Sequence, residues 1–356
     1  MSSASANNPV PTLAALMKTA NANWRVYDLG RKIQTISKSD FELIEDNRKP
    51  YPFPIQQKAR MALVFWQQDT AGPEARANSF IWFLQFDLDE LGLVKLQQRD
   101  HFISLVIKEL GSQLIEANDE KSSTLDNHPY SFTPDQNRQA AFNAIVKKDL
   151  GQPASIYFEH VQAYFSGQLS QDKWQELSIQ GIADFSSRID DVQNEQNLCH
   201  ILPELSVQIL SVLGACLEHQ TISLKLTEAI ISVLQDKLAD NDKESVVYLL
   251  RALAGSKAQQ LVEQQITELL NSEMVNDISL FIILSGRFWS YLNKTELLHL
   301  FFDKLSTHHE QEVFNGLFSD LVAVPEVRLS VLTLLRDPSR PESISRALGE
   351  IFQAKS

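Results

Sequence analysis

Two hydrophobic rhythms divide the chain. Up to about residue 90, apolar side chains alternate or run together over short stretches, the period-two habit of a strand; later they return every three to four positions, the habit of a helix face. In SFIWFLQFDLD the alternation places Phe80, Trp82, Leu84 and Phe86 on one side of an extended chain, with Ile81, Phe83, Gln85 and Asp87 on the other. ARMALVFWQQ, residues 59–68, reads as the partner strand, although Ala59 to Leu63 also fits a helix. The expectation is an antiparallel hairpin of residues 60–67 with 80–87, joined by the loop DTAGPEARAN. A two-stranded ribbon is marginal alone, so residues 26–36 are expected to add an edge or second strand. There Val26, Asp28 and Gly30 alternate with Tyr27, Leu29, Arg31 and Ile33. A short helix is expected over 11–22, with Pro11 in its first turn. SKSDFELIEDN fits a strand or a short helix, and PYPFP at 50–54 forces an extended stretch. Residues 97–110 make an amphipathic helix on Phe102, Val106 and Leu110, ended by Gly111 and followed by a loop over 118–130.

From residue 133 the helical rhythm is continuous. Thr133 as N-cap, Pro134 at the first helical position and Gly151 beyond the end frame one helix. Further helices are expected over 153–166, 170–189, 202–218, 221–239, 242–254, 257–271, 276–291, 294–306, 310–322, 325–335 and 340–353. Pairs starting near 202, 242, 276, 309 and 340 advance by roughly 31–40 residues, which suits a HEAT/armadillo-like α-solenoid. The units share almost no sequence identity, so an irregular helical bundle stands as the alternative. The fold class is therefore mostly α with a small α+β N-terminal domain over 12–115, a disordered start over 1–10, and an all-helical, repeat-like domain over 133–353.

Charge narrows the choice of partners. The 356 residues carry a formal net charge of -13, which disfavours nucleic acid and an anionic membrane surface. Residues 1–60 run the other way, with nine Lys/Arg against five Asp/Glu. A basic patch of Arg25, Arg31, Lys32, Arg48, Lys49, Lys58 and Arg60 would allow weak nucleic-acid binding; a solvated face is the plainer reading. Two cysteines, Cys199 and Cys216, support neither a disulfide framework nor a thiolate metal site, and both read as buried thiols. The start lacks a signal-peptide pattern and no long apolar run exists, so a cytoplasmic setting is expected.

Candidate chemistry is sparse. Asp87 and Asp89 would lie about 6–7 Å apart on one side of a strand, close to Glu90, a spacing open to a carboxylate pair or a hard cation. The same pattern marks any charged hairpin end. His101, beside Asp100, is a possible general base, and these residues define the hydrolase or lyase alternative. Gly30 in YDLGR is flanked by Asp28 and Arg31, a tight turn rather than a dinucleotide fingerprint. No phosphate loop, GxSxG, HExxH or paired CxxC occurs. The remaining histidines, including His160, His200, His308 and His309, form no ligand pattern, and neither metal nor cofactor is expected. In RFWSY, Arg287 stands with Phe288, Trp289 and Tyr291 near Phe281, either a core packing element or a protein-binding hot spot.

WRVYDLGRKIQTI, PYPFPIQQKARMALVFW, SFIWFLQFDLDELGL and QQRDHF together resemble an uncharacterised gammaproteobacterial family known only as a domain of unknown function. The resemblance runs nearly the full length and is densest before residue 110. It implies a bacterial, intracellular chain of this size and carries no activity, substrate or cofactor. The residues themselves favour a non-enzymatic protein-binding or scaffold module with another protein as partner. Two surfaces are expected: Tyr27, Asp28 and Arg31 with Tyr51 and Phe53, and Arg287 with Trp289 and Tyr291.

Overall fold

The N-terminal alternation folds as an antiparallel sheet under three helices. A computed structural model describes residues 10–67, 79–115 and 128–353. The expected disordered start, the loop DTAGPEARAN and most of the 118–130 loop lie outside the described residues. Helix α1 (Leu13–Thr19) leads into β1 (Ala22–Asp28) and β2 (Gln34–Ile36), then α2 (Lys38–Glu45), β3 (Lys58–Gln67), β4 (Phe80–Asp87) and α3 (Leu96–Ile115). The strand order is β2-β1-β3-β4. The hairpin forms, and its pairing runs from Lys58↔Asp87 to Phe65↔Phe80, two residues earlier on β3 than the expected start.

One sheet face presents Trp24, Val26, Met61, Leu63, Leu84 and Phe86 to Leu13 and Met17 of α1, Phe41 and Ile44 of α2, and Phe102 and Val106 of α3. On the opposite face Tyr27, Ala62 and Val64 are buried as well. The backbone around Tyr130–Phe132 closes the outer edge of β4: Gln85 N donates to Tyr130 O at 2.8 Å, and Phe132 N to Phe83 O at 3.3 Å. Such cover removes a free strand edge.

Three expectations change in this region. The first strand does not continue through Arg31. It stops at Asp28, whose carboxylate accepts from the backbone N–H of Gly30 at 3.0 Å and Arg31 at 3.3 Å and so turns the chain. SKSDFELIEDN resolves as a helix because Ser37 caps it, accepting from Asp40 N. Helix α3 runs past Gly111 to Ile115, since one interior glycine costs a helix only about 1 kcal/mol.

Glu45 ends α2 and is 3% exposed. Its oxygens accept from Leu13 N at 2.7 Å and Ala14 N at 3.0 Å, satisfying the first turn of α1. Burial pushes the carboxyl up to about 7, against the backbone hydrogen bonds that favour its charged form.

Among the described residues, the second unit lies within Asp135–Val322 and Glu326–Ser356 and is helical throughout. In order come α4 (Gln136–Asp149), α5 (Phe158–Phe165), α6 (Ile179–Ser187), α7 (Val192–Ile201), α8 (Val207–Leu217), α9 (Leu224–Ala239), α10 (Lys243–Ala252), α11 (Gln259–Leu270), α12 (Ile278–Arg287), α13 (Thr295–His308), α14 (Gln311–Ala323), α15 (Pro325–Thr333) and α16 (Glu342–Gln353). In one row α6 packs on α8, α8 on α10 and α10 on α12, while α4 lies against α6 and α8. In the other, α5 packs on α7, α7 on α9 and α11 on α13, and Gln235 on α9 reaches Gln265 on α11. The result is a C-terminal helical array.

Local capping explains where helices differ from expectation. Asp135, not Thr133, caps α4, because its carboxylate accepts from Arg138 N at 2.9 Å. The helix expected over 170–189 is a 3-10 turn, Gln171–Glu176, then α6; Leu177 and Ser178 between them are extended. Helix α7 is unforeseen, capped by Asp191 through Gln193 N and Asn194 N. The helix expected over 276–291 breaks at Phe288, leaving Trp289–Asn293 as a 3-10 turn.

Successive connectors are stitched by backbone contacts. Ile222 N donates to Gly255 O at 3.1 Å, and Lys257 N to Ile222 O at 3.3 Å. A Cβ on Gly255 would lie 1.5 Å from Gln220 O, and one on Gly214 would lie 2.4 Å from Tyr248 O. Both glycines let neighbouring backbones touch.

Two outcomes follow. Gly255→Ala should lower the urea midpoint by the equivalent of about 2 kcal/mol or more, because backbone must move to admit the methyl; an unchanged midpoint contradicts the contact. For Glu45, the folded state holds a proton that the unfolded chain releases at the ordinary value of 4.5. Its contribution is therefore complete below that value and is lost as pH rises through about 7. Urea titrations near pH 5 and pH 8 should show this loss, up to about 3 kcal/mol, in the wild type and not in Glu45→Gln.

Candidate functional site

A cluster of charged groups in the helical unit gathers at the ends of α8, α10 and α12. Glu218 is the C-cap of α8, Arg251 lies in the last turn of α10, and Arg287 in the last turn of α12. Because α10 packs against both α8 and α12, equivalent ends of successive helices bring these three side chains together. Arg251 grips Glu218 with a two-pronged contact, Nε to Oε2 at 2.7 Å and Nη2 to Oε1 at 2.9 Å. Arg287 Nε stands 2.9 Å from Oε2 as a charge contact without hydrogen-bond alignment. Arg138, in the first turn of α4, places Nη2 4.0 Å from Oε1.

Burial sets the electrostatics. The Glu218 side chain is 1% exposed, and desolvation alone would raise its pKa. The guanidinium of Arg287, joined by Arg251, outweighs that penalty and holds the carboxyl well below the usual range. His219 is buried beside it, with Nε2 3.5 Å from Oε1; desolvation pulls the imidazole well below its usual value and keeps it neutral. Burial, then the charge of Glu218, pushes the Cys216 thiol up to about 12, so it is inert as a nucleophile. Cys199 on α7 is only half-buried, unlike the expectation. What the cluster offers chemically is guanidinium donors in excess of carboxylate.

The first expected surface is brought together but lies inside. Tyr51 Oη is 2.6 Å from Asp28 Oδ1 and 3.0 Å from Arg60 O, and Arg31 Nε donates to Pro54 O at 2.7 Å. Tyr27, Asp28, Arg31 and Tyr51 are fully buried, and Phe53 is half-buried. Polar residues with this spacing form an internal tie between β1 and the proline-rich stretch, not an exposed patch. Desolvation, with the charge of Asp28, raises the Tyr51 phenol well above its usual value.

The second expected surface is divided. Arg287 turns to Glu218, whereas Trp289, 8% exposed, donates Nε1–H to Glu326 Oε2 at 2.8 Å. Tyr291 is half-buried; burial, then Glu263, pushes its phenol up to about 12.

The acidic residues serve the turn after β4. Asp87 pairs with Gln98 at 2.8 Å and with Lys58 at 3.6 Å. Asp89 Oδ1 accepts from Leu91 N at 2.9 Å and Leu93 N at 2.8 Å; Glu90 is exposed. His101 Nδ1 meets Tyr130 Oη at 2.8 Å and makes no hydrogen bond or ion pair to either aspartate. Of the basic residues before position 61, Arg31 is buried, Lys49 pairs with Asp40 at 2.6 Å, and Arg60 lies over the Phe132 ring. His308 and His309 bond to Asn276 and to Val275 O. No group of three or more His, Cys, Asp or Glu is arranged to hold a metal among the described residues.

Sequence reasoning passed over Glu218 and Arg251. The available signal was position: a charged residue near the last turn of alternate helices, about 33–36 residues apart at 218, 251 and 287. It also passed over an apolar series. Ile156 is 88% exposed just before α5, Val192 67% at the start of α7, and Leu224 53% at the start of α9.

Glu218→Gln should destabilise the chain by about 3 kcal/mol in urea titration, since it leaves Arg251 and Arg287 without a buried counter-charge. The native carboxylate's contribution is present above pH 4.5 and is lost as pH falls below that value, because its folded pKa is depressed. The variant should therefore lose stability less steeply in acid.

The chain belongs to the family described as Protein of unknown function (DUF3549), whose match spans residues 8–352. Comparison with curated proteins and with solved structures gave no match.

Proposed function

We propose that the chain is a non-enzymatic protein-binding or scaffold module that docks its partner on the connector edge of the helical array. One observation carries the reading: Ile156, Val192 and Leu224 stand exposed where three successive helices of one row begin. Large apolar side chains set at a repeated position, with charged neighbours, are the composition of a docking surface. The two rows and the roughly 33–36-residue return of Glu218, Arg251 and Arg287 favour a solenoid over an irregular bundle. A solenoid gives a long edge without requiring special chemistry. The acid residues favour no hydrolase or lyase, because Asp87 and Asp89 are committed to a turn. Among the described residues, no helix is long and apolar enough to cross a membrane. Two unpaired cysteines suit the reducing cytoplasm.

The test is recovery of partners from the native cell with tagged full-length chain, comparing wild type with Val192→Glu/Leu224→Glu. Both substitutions are at exposed sites and should leave the thermal midpoint unchanged. A specific protein retained by the wild type and lost by the variant supports the edge; the same set retained by both removes it.

A further inference from the structure

Helix α1 is held by a buried carboxyl that has no ion pair of its own. Glu45 reaches from the end of α2 to accept from Leu13 N at 2.7 Å and Ala14 N at 3.0 Å, and it is 3% exposed. Arg99 of α3 lies close but directs its donors elsewhere. Its Nε and Nη2 donate to Asp100 Oδ1 at 2.9 and 2.6 Å, and its Nη1 donates to the main-chain oxygen of Glu45. Lys18 of α1 pairs with Glu42 at the surface at 2.7 Å, and Asp46 adds a like charge beside Glu45. The sheet contributes Met61 and Phe86, which with Leu13, Phe41 and Val94 line a cavity of about 10 Å³ against Glu45 and Arg99. That volume is at the lower limit for one water, so an ionised carboxyl gains no hydration shell while α1 stays in place.

Helix α1 has seven residues and buries Leu13, Ala14, Leu16 and Met17. A helix this short does not persist without its packing. Glu45 satisfies two of its first-turn N–H groups, so the same contact holds the helix and its docking together. Moving α1 aside returns the carboxylate to water and gives up those contacts.

We propose that α1 is a pH-sensitive strap: ionisation of Glu45 releases it and uncovers the apolar surface of Phe41, Met61 and Phe86 on which Leu13 packs. Linkage fixes the direction. With α1 docked, burial outweighs the two backbone hydrogen bonds and the charge of Arg99, and the carboxyl sits at about 7; released into water it returns to the ordinary 4.5. The docked contribution is fully present below 4.5 and is lost as pH rises through about 7. Between about pH 6 and pH 8 the opening constant of the strap rises about tenfold, while the strands beneath stay paired.

The test is hydrogen–deuterium exchange of the full chain at about pH 6 and about pH 8, with each segment's rate divided by the intrinsic rate at that pH. The expected result is that Leu13–Thr19 loses about tenfold in protection at the higher pH while Lys58–Gln67 of β3 does not. Glu45→Gln, neutral at both values, should abolish the difference. A carbon-13 titration of the Glu45 carboxyl in the wild type keeps the test open if that variant folds poorly; its midpoint should lie at about 7 and coincide with the loss of protection in α1. A midpoint at the ordinary 4.5, equal protection of α1 at both pH values, an equal loss in β3, or a loss that persists in Glu45→Gln overturns the proposal.

Discussion

A carboxylate almost without access to water must have its charge answered by protein, and Glu218 makes that requirement organise the ends of three helices. The cost of desolvating an ion amounts to several kcal/mol, so the surrounding geometry cannot be loose. Arg251 meets the requirement with two aligned hydrogen bonds, Arg287 with a third close cationic contact. Each donor comes from a different helix, so the carboxylate fixes the alignment of α8, α10 and α12 as well as their contact. Apolar packing between helices is tolerant of small axial slides; a forked ion pair is not. The glycine contacts at Gly214 and Gly255 act in the same sense, since they bring backbones so close that side chains cannot intervene.

The same device recurs at smaller scale. Asp28 ties three features in the first unit: its own turn, the Tyr51 hydroxyl and, through the turn, Arg31. Glu45 closes the first turn of α1 from a residue over thirty positions away. Asp184, fully buried on α6, accepts from Ser155 N at 3.0 Å and meets Arg188. Each anion satisfies backbone or cationic groups that irregular connections would otherwise leave exposed to an apolar interior. Their consequences with pH are opposite in sign. Where cations dominate, as at Glu218, the charged form is favoured; where burial outweighs two backbone hydrogen bonds and the charge of Arg99, as at Glu45, the neutral form gains.

What could be read in advance follows from which forces are local. The hairpin of β3 and β4 was legible because apolar residues return at alternate positions of β4, of which Leu84 and Phe86 are buried against the core, and a slip of one residue would turn them out. The helical array was legible for the same reason at period 3.6. Helix α7 was not, because its caps and its polar run VQNEQN conceal the three buried positions Asn194, Leu198 and Ile201. Its start is marked by Asp191 alone. The expected patch around Tyr27, Asp28, Arg31, Tyr51 and Phe53 shows the deeper difficulty. The residues do converge, but sequence gives no sign of whether polar side chains meet in the interior or on the surface. Glu218 is the reverse case: its partners lie about 33 and 69 residues further along, beyond any local pattern, and only the repeated helix-end position relates them.

These constraints also explain why an edge, rather than the faces between helices, is left uncommitted by packing. Where helices lie side by side in rows, the faces between them are consumed by packing, and Phe281, Phe301, Leu250 and Leu269 are buried there. The connectors escape that demand. They must nevertheless be held rigid if they are to present a defined surface, and the backbone stitch from Ile222 to Gly255 and Lys257 does this without using side chains. Leu224, Lys225 and Lys257 are consequently free of structural duty while the backbone beneath them is fixed. A preorganised backbone lowers the ordering cost that a flexible loop would incur on binding. The buried Glu218 contributes as well, holding the guanidinium groups of Arg251 and Arg287 at the ends of α10 and α12.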